Sequence, residues 1–161
     1  ARMSLIVVNT PGTDFRLSED KIKGYKHFAN KLWNIARFIL ENTEGVKQTA
    51  LTEADQVLKD EVSLLAKEVT RDMEEYRMYM AAEKIYHYTW HRLADVLIEE
   101  SKPILTGTDE AVKTSRQTVL RMLLLEVLKL LHPFMPFITE EIWQSVQTDK
   151  ELLIVASWPV K

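Results

Sequence analysis

Apolar residues recur every three or four positions along most of this chain, in stretches with very few helix breakers. The 161 residues include only four Gly and five Pro. A spacing of three to four residues marks one face of an α-helix, and few Gly or Pro residues interrupt it. The pattern therefore predicts an all-α fold, an up-and-down bundle of four to five helices with a short extended C-terminal tail.

The first predicted helix begins after Ser18, a suitable N-cap, with Glu19 and Asp20 in its first turn, where acidic groups stabilise the helix dipole. Gly45 is the predicted stop. The stripe expected to face the core comprises Ile22, Tyr25, Ala29, Leu32, Ala36 and Ile39.

The later helices are predicted from the same signals. Thr52 caps a second helix, whose stripe comprises Leu58, Val62, Leu65, Val69, Met73 and Tyr76. A third covers roughly 80–101 and stops before Pro103, and a fourth covers about 110–131. Thr139 is expected to cap a short fifth helix, with Ile138 and Trp143 as a hydrophobic staple.

The chain is predicted to form a single domain, with a lead-in at 1–17, the bundle at 18–148 and an extended tail at 149–161. The absence of Cys excludes a disulfide scaffold or a thiolate site and fits a reducing cytoplasm. No apolar run suits a membrane span. The net charge of −3 argues against a protein that coats nucleic acid, although residues 18–41 carry five Lys or Arg against three acids.

Opposite the predicted stripe of the first helix lies a ridge of Gly24, His27, Lys31, Asn34 and Phe38. A cation, an amide and an aromatic ring on one face are typical of a contact to single-stranded nucleic acid. The alternative is a solvated face on which Phe38 packs against a neighbouring helix. The pattern alone favours this second interpretation, because exposed apolar residues are common.

No catalytic site is indicated. Adjacent Glu pairs such as Glu74 and Glu75 point in different directions on a helix, so they form no acid–base pair. His87 and His91 have the spacing of a helical zinc pair but lack a third ligand in the sequence pattern, so a small metalloenzyme is disfavoured. A binding or scaffolding module is the better expectation, and a helical protein–protein adaptor is one form of it.

Three stretches resemble the anticodon-binding domain of valyl-tRNA synthetases. They are SEDKIKGYKHFANKLWNIARFIL at 18–40, WHRLADVLIEESKPIL at 90–105 and LKLLHPFMPFITEEIW at 128–143. NTPGTDFRLSED at 9–20 and ASWP at 156–159 are also similar to the family. Isoleucyl and leucyl synthetases share the bundle but generally lack this combination. This combination favours the valyl family, and the isoleucyl domain and the non-RNA adaptor stay as alternatives.

The resemblance implies that the domain grips the anticodon stem-loop of tRNA-Val, whose second and third anticodon letters are A and C. It implies Lys31 and Phe38 as direct contacts, Phe38 by stacking, with Asn34 and Arg37 for hydrogen bonding and phosphate contact. Ile98 is a further apolar contact, whereas Trp33 is expected to pack. Asp95-Val96-Leu97 departs from the family's Asp-Trp-Tyr and removes an aromatic residue from the RNA-facing surface.

The whole enzyme implied by the resemblance joins valine to tRNA with ATP. The adenylate-site signatures of that enzyme are absent from the sequence, so the chain is expected to be a non-catalytic, excised domain. No cofactor is expected in it, because ATP would bind the catalytic domain outside this chain. The expected partner is tRNA, with no membrane and a monomeric, cytoplasmic protein.

Overall fold

The computed structural model describes residues 2–7, 19–47, 49–146 and 151–160. These residues form helices, turns and no β-strand, which confirms the predicted all-α fold. The predicted Ser18 cap lies outside the described residues.

The helices are labelled in chain order. They are α1 (Arg2–Val7), α2 (Glu19–Thr43), α3 (Glu53–Glu74), α4 (Met78–His87), α5 (Ile98–Leu105), α6 (Glu110–Leu131) and α7 (Pro136–Val146). A π-helical segment, Tyr88–Leu97, joins α4 to α5 without a break and is called the π segment. Four long helical units therefore build the bundle, and the short α1 and α7 pack beside them.

The helix α6 forms the centre of the bundle and packs against α2, α3, α5 and α7. Its Leu123, Leu124, Leu128 and Leu130 are fully buried. A helix that is apolar around most of its circumference must be surrounded by others. The fourth predicted helix is therefore the central one of the bundle.

Local signals placed most helix ends correctly. The Thr52 hydroxyl accepts a hydrogen bond from the Asp55 N–H at 3.3 Å and caps α3. Asp109 accepts from two backbone N–H groups at the start of α6, at 3.1 Å each. Gly45 has a φ of +70° just after α2 ends, a left-handed conformation that glycine adopts without strain.

Two predicted ends are wrong. The helix α5 continues through Pro103 to Leu105, because a proline in the last turn removes a single helical hydrogen bond and its ring is exposed. The helix α7 begins at Pro136, a residue favoured in the first helical position. Thr139 therefore lies inside α7, where its hydroxyl donates to the Met135 carbonyl at 2.9 Å, and Ile138 and Trp143 form no staple across a helix start.

The described part of the tail, 151–160, has no regular structure apart from a 3₁₀ turn at Leu153–Val155. Leu152 and Ala156 on either side of this turn have extended backbone. The Trp158 indole N–H donates to the Thr70 hydroxyl at 2.8 Å, which holds this part of the tail on α3.

The buried face of α2 is rotated from the predicted one by roughly 50°, at 100° per residue. Phe28 and Ile35, outside the predicted stripe, are buried, whereas Ile22 at its start is 37% exposed. The rotation also leaves Trp33 44% exposed, so the expectation that Trp33 packs is wrong. The cause lies in the neighbouring helix, where Tyr86 and Trp90 provide an aromatic surface that draws Phe28 inward.

Among the described helices, none combines the length and apolar character needed to cross a membrane.

Candidate nucleic-acid interface

An open groove of about 520 Å³ runs between α2 and the wall formed by the π segment and α5. Four of the five predicted contact residues line it: Lys31, Asn34, Phe38 and Ile98. The ridge of α2 and the third predicted helix therefore form the two sides of one site. Arg37 is not among the lining residues. It is exposed on the adjacent flank of α2, with its Nε 3.9 Å from Glu41.

The predicted contact residues differ in how much of their surface can reach a ligand. Asn34 is exposed at the groove edge, and Phe38 is half-buried with part of its ring against the core. Phe38 therefore packs against its neighbours, as the second interpretation expects, and also lines the groove, while its contact with nucleic acid stays a prediction. Ile98 is only 7% exposed, so it contributes a small apolar part of the floor.

An aromatic cluster sets the position of α2 against the opposite wall. The Phe28 ring lies 4.7 Å from the Tyr86 ring and 6.0 Å from the Trp90 ring between centroids, the latter pair stacked. Tyr25 meets Tyr86 edge-to-face at 5.9 Å. Such contacts add to the apolar area that these rings bury. Because Phe28 precedes Lys31 by only three residues in the same helix, this packing also fixes the position of the Lys31 backbone beside the groove.

Lys31 forms an ion pair across the groove. Its Nζ lies 2.5 Å from Asp95 Oδ1 and 4.9 Å from the centroid of the Trp90 ring. The hydrogen bond from Lys31 holds the pKa of the Asp95 carboxyl below its ordinary value. His91 Nδ1 lies 3.4 Å from the other Asp95 oxygen. The ammonium is therefore anchored by a carboxylate and an aromatic face.

The charges of the groove balance. A second pair, Lys102 and Glu99, joins through both carboxylate oxygens at 2.7 Å. The lining residues thus contain two lysines and two acids, together with the ring of His27. Elsewhere on α2, Lys23 lies 3.9 and 3.7 Å from Glu19 and Asp20. Glu19 and Asp20 are already counted in the positive balance of residues 18–41, so the pairing of Lys23 does not change that balance, whereas Asp95, which pairs with Lys31, is a further acid that reduces it.

The His87 and His91 rings lie 4.9 Å apart between centroids. In the part of the chain that the structure describes, no group of three His, Cys, Asp or Glu side chains is placed to hold a metal ion. His91 instead faces Asp95.

Sequence reasoning did not place Trp90, Asp95, Glu99 and Lys102 in the site. The π segment explains part of this omission. In an α-helix, residues five apart such as Trp90 and Asp95 point about 140° apart at 100° per residue. A π-helix bonds each N–H to the carbonyl five residues back, so residues five apart lie on nearly the same side. The sequence carries no simple signal for this change of register.

Similarity to a known protein family identifies the kind of domain that contains this groove. Residues 55–161, more than half of the chain, match the family described as the anticodon-binding domain of tRNA ligase. The chain belongs to this family. The matched part of this anticodon-binding domain includes the π segment and α5, one complete wall of the groove.

Individual relatives extend the similarity over α2 as well. The domain is 40% identical to a valine–tRNA ligase from Carboxydothermus hydrogenoformans, across 98% of this chain and 18% of that protein. It is 38% identical to the valine–tRNA ligase of Clostridium perfringens and 36% identical to that of Pelagibacter ubique, in each case across 98% of this chain and 19% of the relative. The domain thus spans roughly a fifth of the length of these curated relatives.

Proposed function

We propose that this anticodon-binding domain serves a valine–tRNA ligase and grips the anticodon stem-loop of tRNA-Val. The observation that carries the proposal is the similarity to valine–tRNA ligases across 98% of the chain, including both walls of the groove. The groove gives the proposal a location, because it gathers an amide, an aromatic ring, an apolar floor and an anchored ammonium.

The reaction itself belongs to the whole enzyme in this proposal. A valine–tRNA ligase would activate valine with ATP and attach it to tRNA in a catalytic domain outside this chain. The domain described here contributes recognition and requires no cofactor of its own. We further propose that it works as a monomer in the cytoplasm, in keeping with a sequence that contains no cysteine.

We assign each predicted contact a task in the groove or on its flank. The half-buried Phe38 ring can stack on an unpaired base, and the Asn34 amide can donate to one base edge and accept from another. Lys31 offers N–H donors beside them, with Ile98 beneath as an apolar surface. Arg37, exposed on the flank, can meet a phosphate of the loop. An unstacked anticodon fits this set of groups better than a duplex does.

The balanced charge predicts how strongly the groove holds RNA. Affinity for nucleic acid rises with the number of phosphates that cations neutralise, and so does its dependence on salt. Lys31 and Lys102 are both paired with carboxylates. We therefore expect modest affinity and a shallow dependence on salt, with selectivity arising from stacking and hydrogen bonds.

An NMR titration of the domain with anticodon stem-loops tests the proposal. Addition of a valine-type loop should shift the backbone amide signals of residues 31–38, and an isoleucine-type loop should shift them less. No shift at millimolar RNA, or equal shifts with a scrambled loop, would exclude anticodon recognition by this groove. Shifts confined to the groove upon addition of an amphipathic helical peptide would favour the adaptor.

Replacement of Phe38 tests stacking directly. Phe38→Leu keeps an apolar side chain against the core but removes the ring, and should weaken binding of the valine-type loop by ~1–3 kcal/mol. Trp33→Leu is the matched control, since Trp33 is an aromatic residue of the same helix that does not line the groove. Equal losses of affinity in the two variants would contradict a stacking role specific to Phe38.

A further inference from the structure

Two groups of the π segment hold the Lys31 ammonium. Asp95 Oδ1 lies 2.5 Å from Nζ, and the Trp90 ring lies beneath it at 4.9 Å. Both groups come from one helical turn, because the π geometry places residues five apart on nearly the same side. Regular α-helical geometry would separate Trp90 and Asp95 by about 140° and could not offer both to one ammonium.

A lysine anchored in this way differs from an ordinary surface lysine. The side chain has four flexible carbons, and its ammonium normally occupies many positions in solvent. An ammonium has three N–H donors, so one bond to Asp95 leaves two for a ligand. Pairing reduces the attraction for phosphate, but it fixes where the remaining donors lie. Position, more than charge, determines whether a donor distinguishes one base edge from another.

We propose that Asp95 is a positioning residue for anticodon discrimination: it holds the Lys31 ammonium on the Trp90 ring so that its free N–H groups meet a base acceptor at one place in the groove. This inference rests on the proposed function of the domain. It assigns a role to a carboxylate that, by charge alone, would only repel RNA.

The position of Asp95 supports this role over a purely structural one. Its side chain is 44% exposed and faces the groove, whereas that of Lys31 is 30% exposed. The contact between α2 and the π segment is already made by the buried Phe28 against Trp90. The ion pair is therefore an addition at the accessible edge of a packed interface.

The decisive experiment compares the affinity of Asp95→Asn and of the unaltered domain for two stem-loops. One loop carries the valine-type anticodon, and the other differs from it only by C replaced with U at the third letter. Asp95→Asn removes a negative charge and releases the ammonium. We expect the ratio of the two affinities to fall by roughly 5- to 10-fold, the discrimination that one directed contact supplies. The affinity for the altered loop should stay the same or increase.

Asp60→Asn is the matched control, because it changes the net charge equally on the exposed face of α3, outside the groove. It should leave the ratio unchanged. Asp95→Glu, which retains a carboxylate, should keep a larger ratio than Asp95→Asn. If Asp95→Asn binds both loops more tightly by the same factor, Asp95 is only a charge and the inference fails. If the unaltered domain does not distinguish the loops, the proposed function fails instead.

A second measurement needs no variant and applies even if Asp95→Asn does not fold. Relaxation of the lysine NH₃⁺ groups by NMR reports how restricted each ammonium is. The order parameter of Lys31 Nζ should clearly exceed that of Lys26, an exposed lysine of the same helix. Equal order parameters would show that Asp95 and Trp90 do not hold the ammonium, and would overturn the inference.

Discussion

Among the ion pairs that join different helices of this domain, one lies at the groove and another lies in the core. Lys31–Asp95 connects α2 to the π segment, and both side chains retain substantial exposure. Arg116–Asp55 connects α6 to α3, with side-chain exposures of only 9% and 1% and an Nε–Oδ1 distance of 2.6 Å. Similar charges therefore meet in very different surroundings.

The hydrogen bonds around the two carboxylates follow this difference. Asp55 accepts from the Ser115 hydroxyl at 2.6 Å, and Arg116 also donates to Ser101 at 3.1 Å, so the core pair sits in a network of side chains. Asp95 has Lys31 and, more distantly, His91. A buried charge must be surrounded by partners, because its desolvation is costly. The exposed Lys31–Asp95 pair keeps hydrogen-bonding groups that can reach a ligand.

Removal of the arginine from the core pair should have the largest effect. Arg116→Met leaves the Asp55 carboxylate buried with its main cation missing, and should lower the free energy of unfolding by about 3–5 kcal/mol. Chemical denaturation measures this change. Arg92→Met is the matched control, since Arg92 makes a bidentate pair with Glu61 in which both side chains remain about one-third exposed. Equal losses in the two variants would show that the free energy lost with an ion pair does not depend on how deeply the pair is buried.

Asp72 provides an intermediate case and a dependence on pH. It is fully buried but bonds to two partly exposed cations, Lys84 and Arg77, each at 2.7 Å. Burial by itself would raise the pKa of Asp72, but the hydrogen bonds from Lys84 and Arg77 outweigh it and hold that pKa below its ordinary value.

A carboxyl whose pKa is lower in the folded state binds fewer protons there than in the unfolded chain. Its stabilisation is therefore complete above the unfolded pKa of about 3.9 and lost as pH falls through the lower folded value. The stability difference between the unaltered domain and Asp72→Asn should accordingly be largest near neutral pH and shrink in acid. Denaturation curves across this range measure it. A stability difference that grew in acid would show that the pKa of Asp72 is raised, not lowered, in the folded state.

The smallest effect on stability is expected at the groove. Lys31→Met keeps much of the apolar stem and removes an accessible ion pair, and such pairs contribute little to folding. The thermal unfolding midpoint should change by no more than a few degrees. A loss as large as that of Arg116→Met would show that the groove pair holds the bundle together, and would remove the contrast between the two sites.

Local sequence signals predicted much of the fold. The apolar period placed the long helices, while Thr52 and Gly45 marked ends that the structure confirms. The ends at Pro103 and Thr139 were wrong, because proline has different effects in the first and last turns of a helix and a threonine hydroxyl can bond inside a helix as well as cap it. The predicted domain limits at 17 and 148 remain predictions.

The candidate site was predicted in part. Lys31, Asn34, Phe38 and Ile98 line one groove, although their contact with RNA remains a prediction. Trp33 was misplaced, and Trp90 and Asp95 were missed. A helical wheel assumes that the apolar centre of a helix faces its core, but the rings of Tyr86 and Trp90 turn α2 toward Phe28.

The sequence by itself determined that this chain is helical, where most of its helices begin and end, and which family it resembles. These properties depend on spacing and on residues close together in the chain. Tertiary structure alone decided the rotation of α2, the π register of the opposite wall and the pairing of Lys31 with Asp95. The rotation and the pairing each depend on residues dozens of positions away, and the periodicity of a single helix contains no information about those residues.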